Sequence, residues 1–179
     1  MQRRTVLRDM LASALLPVLL PLTFLNGREA LAAADGAGAQ AVLNVSKERW
    51  REVLPEDRYK VLFEEATEPS RSSPLDKLYE DGTYICAACY QPLFDSADKF
   101  DSGTGWPSFT RPLEGAMGTK RDFRLIWPRT EYHCSRCGGH QGHVFNDGPP
   151  PTGERWCNNG LALEFVPRAE PLPALRNPS

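Results

Sequence analysis

Two Cys-x-x-Cys pairs, Cys86–Cys89 and Cys134–Cys137, constrain this chain more than any other feature of its sequence. The spacing lets both thiolates of one tight turn reach a single ion, and two such turns complete a tetrahedral four-sulfur shell. A closed shell leaves no open position, so the zinc it holds is structural and does no chemistry. Gly138-Gly139, directly after the second pair, suits the turn of a zinc knuckle. The 44 residues between the pairs exceed the gap of an ordinary zinc ribbon, so the intervening segment is itself part of the fold. Two disulfides are the alternative, as is a redox pair of the thioredoxin kind. The latter would open a helix inside a βαβ unit, and neither pair does. One structural Zn(2+) per chain is the expected cofactor.

The chain has five cysteines, so Cys157 is left over. It lies in Gly153-Glu154-Arg155-Trp156-Cys157-Asn158-Asn159. Read as a strand, this stretch puts Arg155, Cys157 and Asn159 on one face, because side chains alternate with period two. A thiol beside a guanidinium and an amide is placed to have its pKa lowered and its attack directed. His140, His143 and Asp147 lie just upstream in a glycine-containing stretch. A His with an orienting carboxylate makes a proton donor. Each of these residues alone also reads as an ordinary loop or surface residue, and Cys157 alone as a buried structural thiol. Asp101-Ser102-Gly103-Thr104-Gly105-Trp106-Pro107-Ser108-Phe109 can present an indole at a pocket, or plug the core.

Around these motifs the chain divides into four parts. Residues 1–34 read as an export signal: a basic start, Met1 to Arg8, then an uncharged run from Met10 to Leu25 containing Pro17 and Pro21. Sixteen such residues are fewer than the about 20 needed to cross a bilayer, and Ala30 to Ala34 offer a small-residue cleavage site. Arg3-Arg4 followed by Leu7 resembles a twin-arginine signal, implying export of a folded, metal-loaded protein to the bacterial periplasm. Residues 35–45 are a small-residue linker, 46–166 the functional domain and 167–179 a proline-rich tail expected to be disordered. Ser46 can cap a helix over Lys47–Leu54, and Pro55 opens a second helix with Tyr59, Leu62, Phe63 and Ala66 on one face. Short strands fit Gly82–Ile85, Arg124–Trp127, Glu131–His133 and Leu161–Val166. The fold class is therefore mainly β with short N-terminal helices. The whole chain carries a formal −2, and removing the +2 segment 1–34 leaves a mildly acidic domain with no electrostatic reason to bind nucleic acid.

Gly-Thr-Gly-Trp-Pro-Ser-Phe (103–109), Cys-Ser-Arg-Cys-Gly-Gly-His-Gln-Gly-His-Val-Phe (134–145), Asp-Gly-Pro (147–149), Pro-Thr-Gly (151–153) and Arg-Trp-Cys-x-Asn (155–159) occur in this order. Together they closely resemble the peptide-methionine (R)-S-oxide reductases, the B-type methionine sulfoxide reductases, from about Ser46 to Val166. The resemblance implies a tent-like, Mss4-like domain of two antiparallel sheets sharing a cleft, with the zinc away from the active site. It implies that Cys157 attacks the sulfoxide sulfur, that His143 protonates the leaving oxygen, and that Asp147 and Asn159 orient the imidazole and the oxygen. Arg155 favours the thiolate in that pattern, while Trp106, with Phe109 and His140, walls the pocket for the substrate methyl group. Cys157 would be left as a sulfenic acid, the first rung of the oxidation ladder. The implied partners are oxidised methionine residues of proteins and a thiol reductant. A monomer without stable membrane insertion after signal removal is expected.

The chain departs from the family pattern in three places. Thr104 stands where many relatives carry a resolving cysteine, so the sulfenate needs an external thiol. Trp156 replaces a smaller aromatic residue beside the nucleophile. Ala116–Pro128 matches poorly, and no contacts are assigned there. A zinc-stabilised binding module of the same fold class would be expected to lack both the Arg-x-Cys-x-Asn strand and His143. A disulfide-linked periplasmic oxidoreductase would contain two disulfides and no metal.

Overall fold

A computed structural model describes residues 42–123 and 128–179. The export segment, most of the linker and the strand expected at Arg124–Trp127 lie outside the described residues.

Helix α1 spans Lys47–Val53, and the Ser46 side chain accepts from the Arg49 backbone N–H, satisfying one of the free donors of the first turn. It stops where Pro55 forces extended backbone on Leu54. Helix α2, Glu56–Glu64, buries Tyr59, Val61, Leu62 and Phe63. The Trp50 and Phe63 rings stack at 5.4 Å between the two helices, so Trp50 is core, as its place on the apolar face of α1 suggests.

Among the described residues nine strands follow, numbered in chain order: β1 Gly82–Cys86, β2 Pro92–Asp95, β3 Lys99–Phe100, β4 Ser108–Phe109 and β5 Met117–Asp122, then β6 Arg129–Cys134, β7 His140–Phe145, β8 Arg155–Asn158 and β9 Leu163–Pro167. They form two antiparallel sheets, ordered β2-β1-β9 and β3-β4-β8-β7-β6-β5. Tyr84 and Phe94 of the small sheet meet Phe109 and Tyr132 of the large one. Phe94 and Phe109 stack at 4.1 Å, and Tyr84 meets Phe109 edge-on at 4.9 Å. All four rings are fully buried, and they join the sheets into one core.

Three expectations need correction. His140–Phe145 is not loop but β7, a central strand of the large sheet. Its Gly142 is there for close approach: a Cβ at that position would sit 1.8 Å from the Cys157 carbonyl oxygen. The strand expected at Leu161–Val166 begins later, because Gly160–Ala162 form a 3-10 turn before Leu163.

The tail, finally, is irregular, as its four prolines dictate, but it is not disordered. The Arg176 N–H donates to the Cys89 carbonyl at 3.0 Å, and its guanidinium lies 4.1 Å from the Tyr90 ring centroid. Arg136 donates to the Arg176 carbonyl at 2.8 Å, and Arg49 donates to the Pro178 carbonyl at 2.7 Å. Proline removes helix and strand as options, yet the residues between prolines keep the donors and acceptors that tie the segment down.

Candidate active site

The two Cys-x-x-Cys turns converge. Cys86 and Cys89 lie at the β1–β2 turn, and Cys134 and Cys137 at the β6–β7 turn. Their four sulfurs all lie within 4.8 Å of one another. Cys86–Cys137 and Cys89–Cys134 are each 3.6 Å apart. A disulfide needs about 2.05 Å, whereas Zn–S bonds of about 2.3 Å in a tetrahedron put neighbouring sulfurs about 3.8 Å apart. The geometry fits one zinc ion and excludes disulfides within this cluster. Gln141 adds an Nε2–H donor to Cys86 Sγ at 3.6 Å. No open position is left, so the centre is structural, tying the small sheet to the large one.

The fifth cysteine stands mid-sheet. Residues directly opposite in an antiparallel ladder share a face. Ser108 on β4 faces Cys157 on β8, Cys157 faces His143 on β7, and His143 faces Glu131 on β6. Arg155, two residues from Cys157, lies on the same face opposite Phe145. The other face carries Phe109 and Asn158 into the core. Period-two alternation thus separates a chemical face from a packing face.

Cys157, His143, Trp106, Phe145, Arg129 and Asn159 line a cavity of about 130 Å³. Such a space takes the end of one side chain rather than a whole residue, since a water's share of liquid is about 30 Å³. A larger concavity, about 650 Å³, lies beyond Glu68 and Gly160 and contains no thiol or imidazole. The small cavity is the one with chemistry. The Trp106 indole N–H donates to the Glu68 carbonyl at 3.2 Å, which sets the ring as a wall of that cavity. Its loop is pinned by Arg71 N–H to the Gly105 carbonyl at 2.7 Å. Gly105 has φ of +86°, and a Cβ there would lie 2.2 Å from Ser70 Oγ, so only glycine fits.

The carboxylates are distributed differently from the expectation. Asp147 does not reach His143. It forms a two-pronged pair with Arg155, Oδ1 to Nε at 2.8 Å and Oδ2 to Nη2 at 2.9 Å. The Arg155 guanidinium also lies over Phe145, 4.2 Å from the ring centroid. The partner of His143 is Asp122, with Nε2 and Oδ2 2.8 Å apart, and the same oxygen accepts from Arg129 at 2.7 Å. Asp122 ends β5, two strands from His143, and it belongs to the segment that matches the family pattern poorly. No local signal marks it, since it is an acidic residue outside every motif.

Asn159 is taken up by the frame. Its Oδ1 accepts from the Glu68 N–H at 3.1 Å and its Nδ2 donates to the Gln141 carbonyl at 3.0 Å. The Glu68 carboxylate, raised in pKa by burial, accepts from the N–H groups of Gly160 and Leu161. Two residues proposed for the pocket wall are core instead. Phe109 is fully buried in the aromatic cluster. His140 is 2% exposed, with Nδ1 2.9 Å from the buried Glu131 carboxylate, and its ring meets that of His143 edge-on.

Burial pushes the Cys157 thiol above its ordinary pKa, against the pull of Arg155 and of hydrogen bonds from Thr104 and Ser108. The lowered pKa expected from Arg155 alone is thus overridden by desolvation. Burial also holds the His143 imidazole below its ordinary value, although Asp122 opposes it. At neutral pH the resting pair is a neutral thiol facing a neutral imidazole. With Nε2 on Asp122, Nδ1 is the nitrogen available to the cavity.

A family model described as the SelR domain matches residues 54–167. A peptide methionine sulfoxide reductase MsrB from Pseudomonas syringae pv. syringae is 48% identical over 128 residues, covering 71% of this chain and 98% of that protein. One from Leptospira interrogans is 46% identical, over 69% of this chain and 95% of its own length. One from Methanosarcina barkeri is also 46% identical, over 74% and 94%.

Proposed function

The chain belongs to the SelR-domain peptide methionine sulfoxide reductases, and we propose that the face carrying Cys157 and His143 performs that reduction on the R epimer. The observation that carries this reading is the cross-strand pairing of Cys157 with His143 in a cavity walled by Trp106. The enzyme returns methionine sulfoxide in proteins to methionine, with a structural zinc site formed by Cys86, Cys89, Cys134 and Cys137.

The reaction starts from a neutral pair. His143 takes the thiol proton of Cys157, giving an imidazolium and a thiolate that attacks the sulfoxide sulfur. The imidazolium then returns the proton to the sulfoxide oxygen as the S–O bond transfers. The net change is thiol plus sulfoxide to sulfenic acid plus thioether, balanced in atoms and electrons. Arg155, held by Asp147, sustains the thiolate, and Asp122 holds the imidazole in place. Trp106 supplies an apolar wall suited to a methyl group.

The four other cysteines form the zinc site. An external thiol therefore attacks the Cys157 sulfenate, releasing water and leaving a mixed disulfide that a second thiol resolves. We further propose that the protein acts as a monomer and is exported to the periplasm, on the strength of Arg3-Arg4 and the uncharged run that follows them. The reading is tested by turnover of separated R- and S-sulfoxide peptides with several thiol donors, for the wild type and Cys157→Ser. Loss of R-sulfoxide reduction in the variant, with zinc retained, is expected. Retained turnover would remove Cys157 from its role. A bridge between Cys157 and a zinc cysteine after oxidation by substrate, seen by mass spectrometry, would overturn the need for an external thiol.

A further inference from the structure

Three hydroxyls beside Cys157 take part in no step described above. Ser108 faces Cys157 across the β4–β8 ladder and is fully buried. Thr104 and Ser108 both reach the cysteine with their side chains. Ser102 Oγ lies between them, 2.8 Å from Thr104 Oγ1 and 2.8 Å from Ser108 Oγ. Ser108 Oγ in turn donates to the Trp106 carbonyl at 3.1 Å.

Each hydroxyl owns a single proton, while the carbonyl can only accept, so the chain has a polarity. The proton of Ser108 goes to Trp106 O, leaving Ser108 to accept from Ser102. The proton of Ser102 is then spent, and Thr104 must donate to Ser102. What Thr104 offers the sulfur is a lone pair. That suits a neutral S–H, which can donate, and opposes a thiolate, which cannot. Burial keeps that thiol protonated at rest, while hydrogen bonding by Thr104 and Ser108 pulls the other way, toward the thiolate. Turned round, the same three groups change character. If Ser108 releases the Trp106 carbonyl, both Ser108 and Thr104 can aim their protons at the sulfur, with Ser102 donating to one of them.

We propose that Ser102, Thr104 and Ser108 form a reversible hydroxyl relay that accepts from the Cys157 thiol at rest and, reversed, donates to its thiolate and then to the sulfenate oxygen. The proposal rests on the reading of Cys157 as the nucleophile. Thr104 and Ser108 touch the reacting sulfur and are catalytic residues in that sense, while Ser102 acts through them. The charged and titratable groups around the sulfur are Arg155 on its own strand with Asp147 behind it, His143 from β7 with Asp122 and Arg129 behind it, and Tyr132 from β6. The relay is uncharged, so removing one hydroxyl leaves all of these in place.

The test is the rate of iodoacetamide alkylation of Cys157 against pH in the zinc-loaded full chain, with the modified residue identified by mass spectrometry. Thr104→Val keeps the shape and removes the hydroxyl. Its alkylation midpoint is expected to rise by about one pH unit, about tenfold slower below the midpoint, as loss of a hydrogen bond to a charged group implies. Thr104→Ser should restore the wild-type profile, and Ser108→Ala, which removes the other hydroxyl that reaches the sulfur, should show a rise of the same sign if Thr104→Val fails to fold. Superimposed profiles for wild type, Thr104→Val and Ser108→Ala would overturn the relay. Because alkylation needs no sulfoxide, this result is independent of the reductase assay: a normal thiol profile with no sulfoxide turnover would instead sink the assigned reaction.

Discussion

His143 Nε2 and Asp122 Oδ2 lie 2.8 Å apart, although the two residues sit on strands separated by β6 and are 21 positions apart in the chain. The more obvious carboxylate, Asp147, four residues from His143, is turned away and gripped by Arg155. The acid that steadies the imidazole and the acid that steadies the guanidinium are therefore different, and substitution separates them.

Asp122→Asn removes an influence that raises the pKa of His143, whose value burial already holds down. Deeper depression means that the imidazolium is lost at lower pH. Because the resting imidazole must be neutral to take the thiol proton, the acid limb of kcat against pH should move to lower pH, with kcat at neutral pH falling roughly ten- to a hundredfold as the ring loses its anchor, within the range spanned by general acid–base catalysis. Asp147→Asn should leave that limb in place and instead slow thiolate formation through Arg155. A pH–rate profile of both variants decides the matter, and an unmoved limb in Asp122→Asn would break the assignment.

Removing the zinc should cost the fold as well as the activity. The four sulfurs join the β1–β2 and β6–β7 turns, and without the ion four thiols within 4.8 Å of one another have lost their common partner. One zinc per chain and loss of cooperative thermal unfolding after chelation are expected, measured by metal analysis and circular dichroism. Two disulfides in the native protein would refute the site.

Phe109→Ala should behave as a core mutation and leave substrate recognition alone. The ring stacks on Phe94 at 4.1 Å and is fully buried. A loss of about 3–5 kcal/mol in unfolding free energy is expected. KM at a temperature where the variant remains folded should be little changed. A large rise in KM without destabilisation would return Phe109 to the pocket.

Lys99 provides a pH signature outside the active site. Its Nζ donates to the Asp76 carbonyl at 2.8 Å and lies 3.9 Å from the Tyr79 ring centroid, and burial pulls its pKa down to about 8. In the unfolded chain a lysine titrates near 10.4, so between about pH 8 and pH 10.4 the unfolded state binds more protons. Stability from this group therefore rises with pH across that window. Denaturant melts of wild type and Lys99→Met should diverge there, with the wild type gaining relative to the variant. Parallel pH dependences would exclude the effect.

Much of this protein is determined by sequence alone, wherever the constraint is local. Ser46 as a cap, Pro55 as a helix start, the knuckle turns and the alternation of Arg155 and Cys157 all depend on a few neighbouring residues and on chain geometry. The zinc ligands were equally legible, because Cys-x-x-Cys spacing is a property of one turn. Tertiary structure decided what depends on register. It made His140–Phe145 a strand by letting Gly142 close against Cys157, and it buried His140 and Phe109. It also gave Asp122 rather than Asp147 to His143, and let burial outweigh Arg155 at the Cys157 thiol. Pairing across strands and exclusion of water are sums over distant parts of the chain, and no short stretch of sequence contains them.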